Sequence, residues 1–78
     1  MKKTKIMLSS IIDVKEFVNF ANLHTCDIDL TSGRYTVDAK SIMGIFSLDL
    51  SKPIDIEIHA DDEEAEKFLS NIAKFEVK

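Results

Sequence analysis

Pro53-Ile54-Asp55-Ile56-Glu57-Ile58-His59-Ala60 alternates apolar and polar side chains without a break. A period of two marks a strand with one face in a core and the other in water. Strands of this kind belong to antiparallel sheets, because parallel sheets are covered on both sides and read as continuous apolar runs. Earlier in the chain the same period returns twice. Cys26, Ile28 and Leu30 alternate with Asp27, Asp29 and Thr31, and Tyr35, Val37 and Ala39 alternate with Thr36 and Asp38. Ser32-Gly33 separates the two runs, which predicts a β-hairpin with Gly33 at a positive φ.

Around these strands the period changes to that of helices. Asp13 with Glu16 three residues on resembles a capping box, and Val14, Phe17, Val18 and Ala21 follow at i, i+3, i+4 and i+7. This predicts a first helix from Asp13 to about Leu23-His24, preceded by a strand over Lys3–Ser10 around Ile6-Met7-Leu8. Ser41 precedes Ile42-Met43-Gly44-Ile45-Phe46-Ser47-Leu48, a short helix with Ser41 as its N-cap. Asp61-Asp62-Glu63-Glu64 places acids where a helix N-terminus favours them, and Ala65, Phe68, Leu69, Ile72 and Ala73 continue at helical spacing. The order is strand, helix, strand, strand, helix, strand, helix. A single-faced antiparallel sheet with helices on that face is a two-layer α+β sandwich, expected here as one domain over residues 1–78.

Composition narrows the function classes. The chain has 78 residues, Lys+Arg 10 against Asp+Glu 14, and a net charge of -4. No basic stripe is available to neutralise phosphates, so a nucleic-acid partner is not expected. One cysteine, Cys26, excludes an internal disulfide. Met1-Lys2-Lys3 has the charge of a signal peptide, but the apolar stretch behind it is too short, and the expectation is a cytoplasmic protein with no membrane segment.

The short helix has more apolar residues than one face can hold: positions 42, 43, 45, 46, 48 and 50. With Ile45 and Leu48 on the sheet, Ile42, Met43 and Phe46, together with Leu50, form an expected partner-binding patch. The other reading is that this helix is buried on more than one side.

Lys40-Ser41-Ile42-Met43-Gly44-Ile45-Phe46-Ser47-Leu48 resembles the K-S-I-M-G-x-M-S-L signature of HPr, the small phosphocarrier of the bacterial sugar phosphotransferase system. The resemblance extends from Thr25-Cys26-Asp27-Ile28 through Ile54-Asp55-Ile56-Glu57-Ile58 into the last helix. It implies a βαββαβα open-faced β-sandwich, four antiparallel strands with three helices on one face. The family carries a G-[IL]-H-A-R-P-A motif at its first helix, whose histidine takes the phosphoryl group from enzyme I and whose arginine helps bind it. Here that stretch reads Leu8-Ser9-Ser10-Ile11-Ile12-Asp13-Val14, with Ser10 near the histidine position and Ile12 near the arginine position. A phosphoserine ester is too stable to pass its group onward, and Asp13 repels an arriving phosphoryl group. The resemblance is therefore to a divergent member, similar in kind to the catabolite-repression homologue. Asp49, where the family often has glycine, and Pro53, near another family glycine, are further departures.

In Gram-positive members the signature serine, here Ser41, is phosphorylated by HPr kinase/phosphorylase, and the product partners a transcription regulator. The expected function is regulation through Ser41 and the adjacent patch, with HPr kinase/phosphorylase, a transcription regulator or phosphotransferase-system enzymes as partners by resemblance, and a homodimer as a further expectation. The alternative is a protein-interaction module on the same fold, without the phosphotransferase system. An enzyme using Ser10, or His59 with Asp61 and Asp62, has no nucleophile–base constellation behind it and is not expected. Neither His24-x-Cys26 nor His59 with Asp61 and Asp62 has the spacing of a recognised metal site, so no metal or cofactor is expected.

Overall fold

A computed structural model describes residues 2–77. Its elements are β1 (Lys2–Ile6), α1 (Ile11–Asn22), β2 (Asp27–Ser32), β3 (Tyr35–Asp38), α2 (Ile42–Phe46), β4 (Ile54–His59) and α3 (Asp62–Asn71), then a 3-10 turn over Ala73–Phe75. The four strands form one antiparallel sheet in the order β1-β4-β2-β3. Ser32 pairs with Tyr35, leaving Gly33 and Arg34 as a two-residue turn. Gly33 has φ 60° and is the one described residue at a positive φ. A glycine at the first central position is what a type II′ hairpin requires.

Alternation decides which side of the sheet is covered. Ile54, Ile56 and Ile58 of β4 and Ile28 and Leu30 of β2 are buried, while Asp55, Glu57, His59, Asp27 and Asp29 face the other way. The helices close the apolar side with Val14, Phe17, Val18 and Ala21 from α1, Ile45 from α2, and Ala65 and Phe68 from α3. Phe17 and Phe68 meet edge to face, their ring centroids 5.8 Å apart. Edge-to-face pairs of this kind add about 0.5–1.5 kcal/mol beyond the area they bury.

Three boundaries differ most from the sequence expectation, and α2 also ends at Phe46, short of Leu48. First, β1 ends at Ile6 rather than continuing to Ser10. C-terminal residues pair along the end of β1: Val77 N–H donates to the Lys5 carbonyl, 2.9 Å, and just past the strand Met7 N–H donates to the Phe75 carbonyl, 2.8 Å. Leu8 is buried without belonging to a strand.

The second difference is at α1, which begins at Ile11 instead of Asp13. Ser10 is extended, φ -145° and ψ 165°, and its hydroxyl caps the helix. Finally, α3 stops at Asn71, and Ala73 lies exposed in the 3-10 turn rather than on the buried face. Leu69 is half-buried at the margin of the core instead of in its centre.

Candidate functional site

The two helix starts that the sequence singled out are both capped by serine. At α1, Asp13 N–H donates to Ser10 Oγ, 3.1 Å. The Asp13 carboxylate turns back over the same end, where Oδ2 accepts from Ser9 Oγ at 3.0 Å and from Ser9 N–H at 3.3 Å. The positive end of α1 is thereby supplied with an anion from its own third residue. Ile11 and Ile12, in the first turn of the helix, are 62% and 73% exposed. Sequence reading missed this pair as surface. The signal was present for Ile12, which lies opposite the 14, 17, 18, 21 stripe, whereas Ile11 stands at helical spacing from Val14 and Val18.

At α2, Gly44 N–H donates to Ser41 Oγ, 3.1 Å. Ser41 is exposed and extended, φ -99° and ψ 105°. No acid stands in the first turn of α2, whereas α1 has Asp13 and α3 has Asp62, Glu63 and Glu64. Gly44 stands in a crowded position. A Cβ there would lie 3.1 Å from Ser41 Oγ and 3.2 Å from Val37 Cβ, so a side chain would press on both the cap and β3.

The apolar residues of α2 divide between core and surface. Ile45 and Leu48 are buried, 0% and 6% exposed. Met43 is 76% exposed and Phe46 40%, while Ile42 and Leu50 are half-buried against the core. Lys40 precedes the helix, and Asp38 Oδ1 accepts its backbone N–H at 2.8 Å. Arg34 lies with Ser47, Asp49, Lys52 and Pro53 around an open cleft, at the far end of α2 from Ser41. Ser51 donates to Asp49 Oδ1 through both hydroxyl and amide, 2.5 and 3.0 Å, holding that carboxyl below the usual carboxylate range.

The histidines take separate positions. His24 is buried at the end of α1, with Nδ1 2.7 Å from Glu64 Oε1 and its ring edge-on to Phe68. His59 lies on the uncovered face of the sheet and meets Asp29, 3.0 Å away. The sequence neighbours Asp61 and Asp62 do not join it: Asp61 caps α3, its Oδ1 accepting Glu64 N–H at 2.8 Å. Desolvation pushes the Cys26 thiol up, and nearby Glu64 adds to the effect.

The family model described as PTS HPr component phosphorylation site matches residues 13–76. A search of curated proteins finds no match. Among solved structures, HPr-C-His from Thermoanaerobacter tengcongensis is similar, with 30% identity and TM-score 0.76 over 95% of this chain and 92% of that one. The phosphocarrier protein HPr from Bacillus anthracis is 28% identical, with TM-score 0.66 over 90% of this chain and 94% of that one. The Bacillus subtilis catabolite repression protein Crh is 26% identical, with TM-score 0.66 over 94% and 88%. The sheet with its three helices is thus the fold of small phosphotransferase-system proteins. The chain belongs to the HPr family of that system. Among the described residues, no helix is long and apolar enough to cross a membrane.

Proposed function

We propose that this chain is a single-domain, regulatory HPr-family protein that works through Ser41 and the adjacent patch, and does not carry phosphoryl groups at the first helix. The observation that carries the reading is the pair of helix starts. The α1 end holds Ser10 and the Asp13 carboxylate, and the chain's two histidines, His24 and His59, lie elsewhere. The α2 end holds an exposed serine with no acid in its first turn. A phosphoryl group on Ser41 would carry about -1.5 to -2 charge to free backbone N–H groups and the positive end of the helix dipole. It would stand beside Met43 and Phe46, which offer a partner apolar contact next to the new charge. The family match itself begins at Asp13, past Ser10 and Ile12, which stand near the histidine and arginine positions.

The test is phosphorylation by an HPr kinase/phosphorylase with ATP. One phosphate is expected, and Ser41→Ala should abolish it. Met43→Asp and Phe46→Asp should weaken the partner's binding to the phosphorylated form while circular dichroism stays unchanged. If the kinase leaves Ser41 unmodified while the patch variants still lose a partner, or a homodimer, the chain is an interaction module without the phosphotransferase link.

A further inference from the structure

On the side of the sheet that the helices leave open, three side chains converge that the chain order keeps apart. The antiparallel register makes Asp29 the direct cross-strand partner of Glu57, and His59 stands two residues further along β4 on the same face. His59 Nε2 lies 3.0 Å from Asp29 Oδ2 and 3.8 Å from Glu57 Oε2. One donor atom from each residue lies within 4.8 Å of the other two. Like charges placed directly opposite on paired strands oppose folding, so the arrangement favours a positive centre between the carboxylates.

We propose that Asp29, Glu57 and His59 form a binding site for a divalent transition-metal ion of the zinc type. One imidazole nitrogen and two carboxylate oxygens are a donor set that zinc accepts. Metal–ligand distances of about 2.0–2.2 Å place tetrahedral donors about 3.3–3.6 Å from one another. The observed separations of 3.0 and 3.8 Å bracket that range, so small rotamer changes complete the site. Calcium and magnesium prefer oxygen throughout, and the imidazole disfavours them.

The surroundings support the same assignment. The donors stand on β2 and β4, the two inner strands, whose backbones are fixed by pairing on both sides. Lys3 Nζ lies 3.5 Å from Glu57 Oε1, so the lysine orients the carboxylate by one oxygen while Oε2 faces His59. Asp27, Asp38 and Asp55 share the open face with Lys3 and Lys5, giving it a negative balance that attracts cations. Each of the three side chains is about one-third exposed, which leaves the remaining coordination position open to water or to a donor from another molecule.

The test is calorimetric titration of the full chain with zinc chloride in a non-chelating buffer, followed by amide chemical shifts. Saturable binding of one ion is expected, with shifts centred on Asp29, Glu57 and His59. His59→Gln and Asp29→Asn should each weaken binding at least about tenfold, since even outer-shell partners contribute about 10–100-fold. Both lie on the open face, so circular dichroism verifies that the variants fold. Cys26→Ser should leave the titration unchanged. No saturable binding overturns the proposal, as does binding that survives His59→Gln or disappears with Cys26→Ser.

Discussion

The starts of α1 and α2 share one device, a serine hydroxyl accepting an N–H three residues on, 3.1 Å in both. What separates them is the anion. Asp13 already sits over the first, so an arriving phosphoryl group would meet a negative charge there. At the second, Lys40 precedes an exposed hydroxyl, and no acid occupies the first turn. Two helix ends built on the same cap therefore differ in charge: one carries an acid in its first turn, and the other carries none.

The most direct way to break this comparison is to look for phosphoryl transfer at the wrong end. Incubation with enzyme I and labelled phosphoenolpyruvate should leave the protein unlabelled, and acid-labile label on a histidine would sink the distinction. Ser10→His alone should restore little, because Ile12 is no arginine and Asp13 remains. Adding Ile12→Arg and Asp13→Ala should raise labelling above that of the single variant.

The comparison also depends on the helices closing a core to which β4 contributes Ile54, Ile56 and Ile58. Ile58→Ala should lower the unfolding free energy by about 2–4 kcal/mol in a urea titration, the range for truncating a buried isoleucine. A loss below about 0.5 kcal/mol would mean that the inward face of β4 is misassigned.

Cap removal sharpens the contrast further. Ser10→Ala and Ser41→Ala should each lose about 0.5–2 kcal/mol. Ser10→Ala should lose the more, because α1 carries four buried residues and α2 one. Asp13→Asn should remove about 0.3–1 kcal/mol at low ionic strength, less in salt. Thermal melts at two salt concentrations separate this charge contribution from the hydroxyl's.

The smallest effect concerns Cys26, with its thiol pKa raised by desolvation. At pH 8 less thiolate is available than in a free cysteine, so alkylation by iodoacetamide should run slower than for a model thiol and recover as pH rises. Stability should follow the same sign. The protonated thiol is favoured in the fold, and its contribution is present below the unfolded pKa and lost as pH rises through the folded one.

Much of the sheet was legible because period-two alternation is a local signal. β2, β3 and β4, the glycine turn between β2 and β3, and the serine cap of α2 all stand where the pattern places them. The start of α1 was not legible, because Ser10 and Asp13 are both good caps and Ile11-Ile12 between them looks like core. Only the extended backbone at Ser10 decides between them. The end of β1 depends on Phe75 and Val77, at the opposite end of the chain. The grouping of His59 with Asp29 and Glu57 needed the register between β2 and β4. Sequence adjacency pointed to Asp61 and Asp62, which belong to the next helix start.

The strand order also sets how far apart in the chain the paired segments lie. β2 and β3 join across Gly33 and Arg34, a closure of two residues. β1 meets β4 only when Lys5 finds Asp55, and Val77 then returns to Lys5 to fasten the outer edge. Closing a long loop loses more chain entropy than closing a short one, and pairings distant in sequence form slowly. The hairpin is therefore the early unit, and the β1 seam with its C-terminal strap is the late one. Contact separation therefore places the slow pairings at the edge of the sheet where Lys5 and Val77 lie side by side.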